Sequence, residues 1–204
     1  METTVVYVPM DRRHALVRGE SLPNRTTGAA LFADISGFTP LTEALLRELG
    51  PQRGAEELTR YLNLVYDAVI EEVHRFGGSV IAFAGDAITC WFDGDAGRRA
   101  VACALAMQAA MAQFSAVTTP GGASVALAMK TAVAAGPVRR FLVGDPALRV
   151  LDALAGATLA RLANAEHLAQ REETVVDGDL LPLLAGIATT GDLRIDGATG
   201  EHVC

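Results

Sequence analysis

Two apolar runs, SVIAFA at residues 79–84 and AITCWF at 87–92, are separated only by Gly85-Asp86. Two residues of that type between strand-like runs form a tight β-hairpin, which commits the chain to an antiparallel sheet. Ahead of the hairpin, Leu58, Leu62, Val65, Val69, Val73 and Phe76 recur every three or four residues. That spacing marks the apolar face of a long amphipathic helix, and Gly77-Gly78 ends it. Residues 28–35 (GAALFADI) read as a short buried strand. Thr39 suits an N-cap and Pro40 the first helical position, where a missing N–H costs nothing. This helix runs to about Leu49 and stops at Gly50-Pro51.

After the hairpin, Ala100, Cys103, Met107, Met111 and Phe114 mark another helix, followed by a Thr-Thr-Pro-Gly-Gly break. Strands are expected over residues 125–134, 138–143 and 149–154, then an Ala- and Leu-rich helix over 158–169. The last 30 residues read as short strands and turns. The order of elements predicts an α+β fold, a largely antiparallel sheet with helices packed on one face. Residues 1–27 read as an N-terminal arm and 28–204 as one domain, in a chain long enough to bury about 70% of its unfolded surface.

Lys and Arg total 17 against 24 Asp and Glu, a formal charge of −7. That balance argues against a nucleic-acid groove, which needs a basic surface. The three cysteines lack metal-site spacing, and their odd number argues against a disulfide framework. Cys90 and Cys103 fall in apolar runs and read as buried thiols. The first residues lack the basic-then-apolar order of a signal peptide, and no run approaches the roughly 20 apolar residues of a membrane span. A cytoplasmic protein is expected.

Two aspartates occupy special positions. Asp34 ends the first strand and Asp86 sits at the hairpin tip. If the first strand lies centrally and pairs with the hairpin, both carboxylates reach one sheet edge. Paired carboxylates there suit magnesium, and two ions about 4 Å apart can clamp both oxygens of an in-line displacement at phosphorus. Between the aspartates, Ser36, Gly37, Phe38 and Thr39 lead into a helix N-terminus, whose N–H groups and dipole favour an anion such as a triphosphate. Singly, an Asp before Ser-Gly is an Asx-turn residue and a Gly-Asp between strands is only a turn. Their combination, with a helix start between, points to a site.

These residues resemble a known family. FADISGFT (32–39) is similar to the first metal motif of class III adenylyl and guanylyl cyclases, and FGGSVIAFAGDA (76–87) to the second. KTAVAAGPVRRFLVG (130–144) looks like the strand pair that follows in that family. The resemblance extends over residues 28–168 and is nearest to the first cyclase domain of soluble, bicarbonate-responsive adenylyl cyclases. It implies a ferredoxin-like class III cyclase fold, ATP as substrate, and cyclic AMP and pyrophosphate as products. It also implies two Mg2+ ions, with Mn2+ as a substitute, held by Asp34, Asp86 and the Ile35 carbonyl.

Class III sites form between two such domains, one giving the metal aspartates and the other a purine-reading Lys and Asp (or Thr) plus an Asn and Arg that support the ribose and the transition state. In this chain Ala82 stands where a self-sufficient cyclase has the Lys. Aligned on Gly156, Ala160 takes the Asn position and Asn164 the Arg position. Gly85, Asp152 and Arg161 are further candidate site residues, Asp152 near the purine-reading position and Arg161 beside the vacant ones. The resemblance thus implies the metal-binding half of an adenylate cyclase site that needs a second cyclase homology domain in cis or in trans. A catalytically silent metal–ATP-binding regulatory module is the alternative. In the soluble tandem cyclases the same domain lines a degenerate pocket with a bicarbonate-binding Lys and Arg; the matching positions here are Ala82 and Ala163.

An RNA-binding module shares a ferredoxin-like sheet, but the acidic balance and the lack of aromatic strand motifs oppose it. The four histidines are scattered, and His74 falls on a charged helix face. Arg139-Arg140 sends one guanidinium to each sheet face, for phosphate or for solvent. Trp91 reads as core.

Overall fold

The computed structural model describes residues 7–145, 149–197, 199–200 and 202–204. The chain runs α1 (Met10–Arg18), β1 (Arg25–Ser36), α2 (Phe38–Leu49), α3 (Pro51–Arg75), β2 (Ser79–Ala84) and β3 (Ala87–Asp93). It continues through α4 (Arg98–Met111), β4 (Val117–Thr118), β5 (Ser124–Val125), β6 (Ala128–Asp145), β7 (Arg149–Ala155) and α5 (Ala157–Leu168). The last elements are β8 (Thr174–Val176), α6 (Leu181–Leu184), β9 (Arg194–Ile195) and β10 (His202–Val203).

The main sheet has the order β2-β3-β1-β6-β7, with every neighbour antiparallel, and β8 adds a parallel pairing to β6. The α+β, largely antiparallel fold expected from the sequence is the one observed. β1 is central because it is apolar on both faces. Ala29, Leu31, Ala33 and Ile35 enter one core with Leu41 and Leu45 of α2, Val65, Val69 and Val73 of α3, and Cys103 and Met107 of α4. The three α3 valines are fully buried, worth roughly 1.5–3 kcal/mol each. Ala30 faces the other way, into a second core with Trp91, Ala132, Leu162 and Ala165. Helices α2, α3 and α4 therefore cover one face as expected, and α5 lies on the opposite face. Leu162 and Ala165 give it an apolar stripe that Trp91 and the small residues of β6 receive.

Four local expectations change. Thr39 is not the N-cap of α2; Gly37 is, with φ 105°, and Phe38 opens the helix. Residues 125–143 are not two strands, because β6 runs unbroken from Ala128 to Asp145 while Ser124–Val125 pairs separately with Val117–Thr118. Gly136-Pro137, between the two expected strands, lies within the unbroken β6. α5 fastens it on both sides, Thr158 Oγ1 donating to the Pro137 carbonyl (2.8 Å) and Arg161 Nη2 to that of Ala135 (2.6 Å). Finally, the arm contains a helix, α1, closed by Gly19 at φ 70°. Cys90, Cys103 and Cys204 are free thiols, the first two buried. Among the described residues no helix is long and apolar enough to cross a membrane.

Candidate functional site

The antiparallel register sets Asp34 of β1 opposite Ala87 of β3 on one side and Lys130 of β6 on the other. Asp86 precedes Ala87 in the tight turn, where Gly85 takes φ 64°. The Ile35 N–H donates to the Asp86 carbonyl (3.2 Å), tying the turn to the end of β1. Asp34 and Asp86 thus meet at one edge. Burial raises the Asp34 carboxyl above its usual range, the Asp86 charge raises it further, and Lys130 opposes both. Like charges held this close are relieved by a bound cation.

The donors are oxygens only: two carboxylates and the Ile35 carbonyl. That set fits a hard divalent cation. Among the described residues no three His, Cys, Asp or Glu side chains gather as a closed metal cage. Two carboxylates leave positions open for phosphate and water, which Mg2+ retains in nucleotide sites. The Ile35 side chain itself is core.

Ser36 to Thr39 lead from the carboxylates into α2. Ser36 Oγ donates to the Ala128 carbonyl (3.3 Å), and the Phe38 side chain is buried. The first intrahelical bond is Leu41 N–H to the Gly37 carbonyl (3.2 Å), so the N–H groups of Phe38 and Thr39 precede it. Gly37 is required on steric grounds as well: a Cβ there would lie 2.5 Å from the Ala126 carbonyl oxygen.

Three residues that sequence reasoning passed over belong to this edge. Lys130 Nζ lies 3.6 Å from Asp34 Oδ2 and 2.5 Å from Glu166 Oε1 on α5. Burial works against its charge, but Glu166 and then Asp34 outweigh that and raise its pKa. One signal was present, since Lys130 is the only lysine in the chain. Tyr66 of α3 donates its hydroxyl to the Gly85 carbonyl (3.1 Å), bracing the turn from behind. Burial first, then the charges of Asp86 and Asp34, raise the Tyr66 phenol pKa.

The remaining candidates do not join the carboxylates. Asp152 is buried in a charge network, accepting from Arg140 Nε (2.7 Å) and from Arg12 of α1, while Arg140 also pairs with Asp11. Burial raises the Asp152 pKa, but the two guanidiniums outweigh it and the net shift is downward. Its carboxylate is thus already engaged by two cations. Tyr7, Ala82, Phe83 and Asp152 line a cavity of ≈ 140 Å³ at this place. Arg161 is tied to Asp177 (2.6 Å) and to the Ala135 carbonyl. Ala163 lines a cavity of ≈ 170 Å³ with Phe32, Thr89, Leu159, Leu162 and Glu166. A larger cavity of ≈ 460 Å³, between Arg25, Pro137, Arg139 and Gly156, lies at the other end of β1. Nine residues of strand put it roughly 30 Å from Asp34, outside the chemistry proposed for that edge.

This architecture is that of class III nucleotidyl cyclase catalytic domains. The non-canonical dimeric guanylyl cyclase domain of the RhoGC fusion protein from the aquatic fungus Blastocladiella emersonii superposes with a TM-score of 0.67 at 16% identity, over 89% of this chain and 96% of that one. The guanylyl cyclase Cya2 gives 0.67 at 21% identity over 88% and 90%, and a bacterial light-regulated adenylyl cyclase 0.70 at 17% over 97% and 57%. By sequence the chain is homologous to adenylate cyclase type 10. It is 36% identical to the rat protein over 92 residues, 43% of this chain and 6% of that protein. The human protein is 46% identical over 61 residues, 30% of this chain and 4% of that one. The chain therefore matches only a small part of these relatives. No family model matches it.

Proposed function

We propose that this chain is the metal- and triphosphate-binding half of an adenylate cyclase site, completed by a second cyclase homology domain. The observation that carries the reading is the meeting of Asp34 and Asp86 at one edge, tied by the Ile35–Asp86 hydrogen bond. Asp34, Asp86 and the Ile35 carbonyl would hold two Mg2+ ions. When bound, these supply charge stabilisation for the triphosphate and for the attacking ribose oxygen. The Phe38 and Thr39 N–H groups at the α2 N-terminus face the same edge and suit phosphate oxygens. Lys130 adds a compact positive charge, the kind of point charge that phosphate-binding lysines supply. Gly37 keeps the backbone bare at the approach, and Tyr66 holds the turn that carries Asp86.

In the reaction the ATP 3′-oxygen bonds to the α-phosphorus, the bond to the β-phosphate bridging oxygen breaks, and pyrophosphate leaves. The hydroxyl proton passes to solvent. At the positions the resemblance assigns to adenine recognition, Ala82 has no donor and Asp152 is engaged by Arg12 and Arg140, and at the supporting Asn position Ala160 has no polar side chain. The two carboxylates stand on an open edge, as expected of one wall of an interfacial site.

The purified chain should therefore make no cyclic AMP alone. Mixed with a cyclase domain that keeps its Lys, Asn and Arg but has its metal aspartates changed to Asn, it should do so. Asp34→Asn and Asp86→Asn should each abolish that activity. Each should also weaken Mn2+-dependent binding of a non-hydrolysable ATP analogue by more than about 10-fold, since even outer-shell losses cost about 10–100-fold in metal affinity. Amine acylation followed by mass spectrometry should show Lys130 protected by that complex. Unchanged affinity in both Asp variants would sink the reading. Tight binding without turnover in the mixture would favour the silent metal–ATP-binding module.

A further inference from the structure

Lys130 lies directly opposite Asp34 in the β1–β6 register, and both side chains project to the α5 face, as do Phe32 and Ala132. A lysine so placed competes with a metal ion for the carboxylate. Left alone, its flexible four-carbon stem lets the ammonium close on Asp34 and neutralise it. The observed distances show the ammonium shared unequally, with Nζ tight on Glu166 at 2.5 Å and only loosely paired with Asp34 at 3.6 Å. Glu166 reaches this point from the last turns of α5, which Leu162 and Ala165 anchor in the second core. It has no other ion pair among the described residues, so Lys130 is its cation. It also borders the cavity with Phe32 and Thr89, which flank the aspartate edge.

We infer that Glu166 is a positioning residue: it draws the Lys130 ammonium toward itself, leaving the Asp34 carboxylate only loosely paired and open to a divalent cation, with the ammonium facing the triphosphate. The inference rests on the metal-site reading above and deepens it. Glu166 touches neither metal nor nucleotide; it acts through Lys130. A bystander ion pair would leave metal affinity alone, and a carboxylate acting directly on the ion would not need the lysine. The thermodynamic cycle between the two residues separates these cases.

Mn2+ binding to the full chain, followed by electron paramagnetic resonance without nucleotide, provides the readout. Glu166→Gln should weaken Mn2+ binding by about 10-fold, the order expected when one unit charge moves onto a ligand carboxylate about 4 Å away in a partly solvated site. In the Lys130→Met background the same change should cost no more than about twofold, because no ammonium remains to move. Lys130→Met alone should leave Mn2+ binding as tight or tighter while weakening the ATP analogue. Glu166→Asp, one carbon shorter, should fall between wild type and Glu166→Gln. An equal loss in both backgrounds, or none in either, would overturn the inference. Asp34→Asn serves as the control. If it binds Mn2+ as wild type does, the metal site itself fails and this inference with it, whereas a sensitive Asp34 with additive Glu166 effects removes only Glu166.

Discussion

At the scale of single residues, Arg140 and Asp152 are the charges most deeply enclosed. Their side chains are 2% and 1% exposed, and Arg12 and Asp11 complete the network from α1. A paired buried charge is weak evidence of net stabilisation, but removing one partner strands the other. Arg140→Ala should destabilise the fold by about 3–5 kcal/mol in denaturant titration. The pH dependence follows from Asp152, whose folded pKa lies below its ordinary 3.8 because two guanidiniums outweigh burial. The stability it contributes is complete above that unfolded value and is lost as pH falls through the lower folded one. Asp152→Asn should therefore flatten the acid limb of the stability curve below about pH 4, and an unchanged limb would show the pairing to be absent in solution. The sequence made Asp34 and Asp86 legible because each sits in a local turn signal. Alternation put Arg139 and Arg140 on opposite faces, but only the sheet's register decides which one is buried. Lys130 and Glu166 stayed hidden for a similar reason. Their meeting depends on β6 lying beside β1 and α5 crossing the second face, pairings between residues far apart in the chain.

Among the elements, the β1–α2 connection is the most constrained. Gly37 takes φ 105°, and an added Cβ would meet the Ala126 carbonyl at 2.5 Å and Leu127 Cδ2 at 2.9 Å. Gly37→Ala should cost about 1–3 kcal/mol of stability, the usual strain of a side chain in that region. It should also push the α2 N-terminus away from residues 126–127 and so weaken binding of the Mn2+–ATP analogue. Retention of both stability and affinity would show that the turn has room. The β2–β3 hairpin and α3 were read correctly because their signals are local: a two-residue turn, and an apolar stripe buried at Val65, Val69 and Val73. β6 was split in two because Gly136-Pro137 carries a strong turn signal. α5 overrides that signal by bonding the carbonyls on either side of the glycine. α1 escaped notice because Ala15 is its only buried residue and ion pairs, not an apolar stripe, dock it.

On the scale of the whole molecule, the sheet presents two surfaces of unequal content. One edge carries Asp34, Asp86, Lys130 and the α2 N-terminus. At Ala82 and Ala163 the side chains carry no charge, and the charged groups lining the two cavities there are the carboxylates Asp152 and Glu166. The resemblance to soluble bicarbonate-responsive cyclases puts an anion-binding Lys and Arg at these two positions. An anion of that size in a partly enclosed pocket needs a charge-assisted partner, because leaving it unpaired costs several kcal/mol. Arg161 is the nearest cation in sequence, two residues from Ala163. Its guanidinium is held by Asp177 at 2.6 Å and by the Ala135 carbonyl at 2.6 Å, contacts that also fasten α5 to β6. Turning it into the Ala163 cavity would strip both partners and leave the Asp177 carboxylate, which is buried, without its guanidinium. Bicarbonate should therefore give no stimulation through this domain, even with the complementary domain present. The assay compares the complemented pair at fixed pH with bicarbonate exchanged for chloride. A flat response is expected. A saturable rise of several-fold that disappears in Arg161→Ala would mean that Arg161 leaves Asp177 for the anion, and the pocket would then have to be counted as a second functional site.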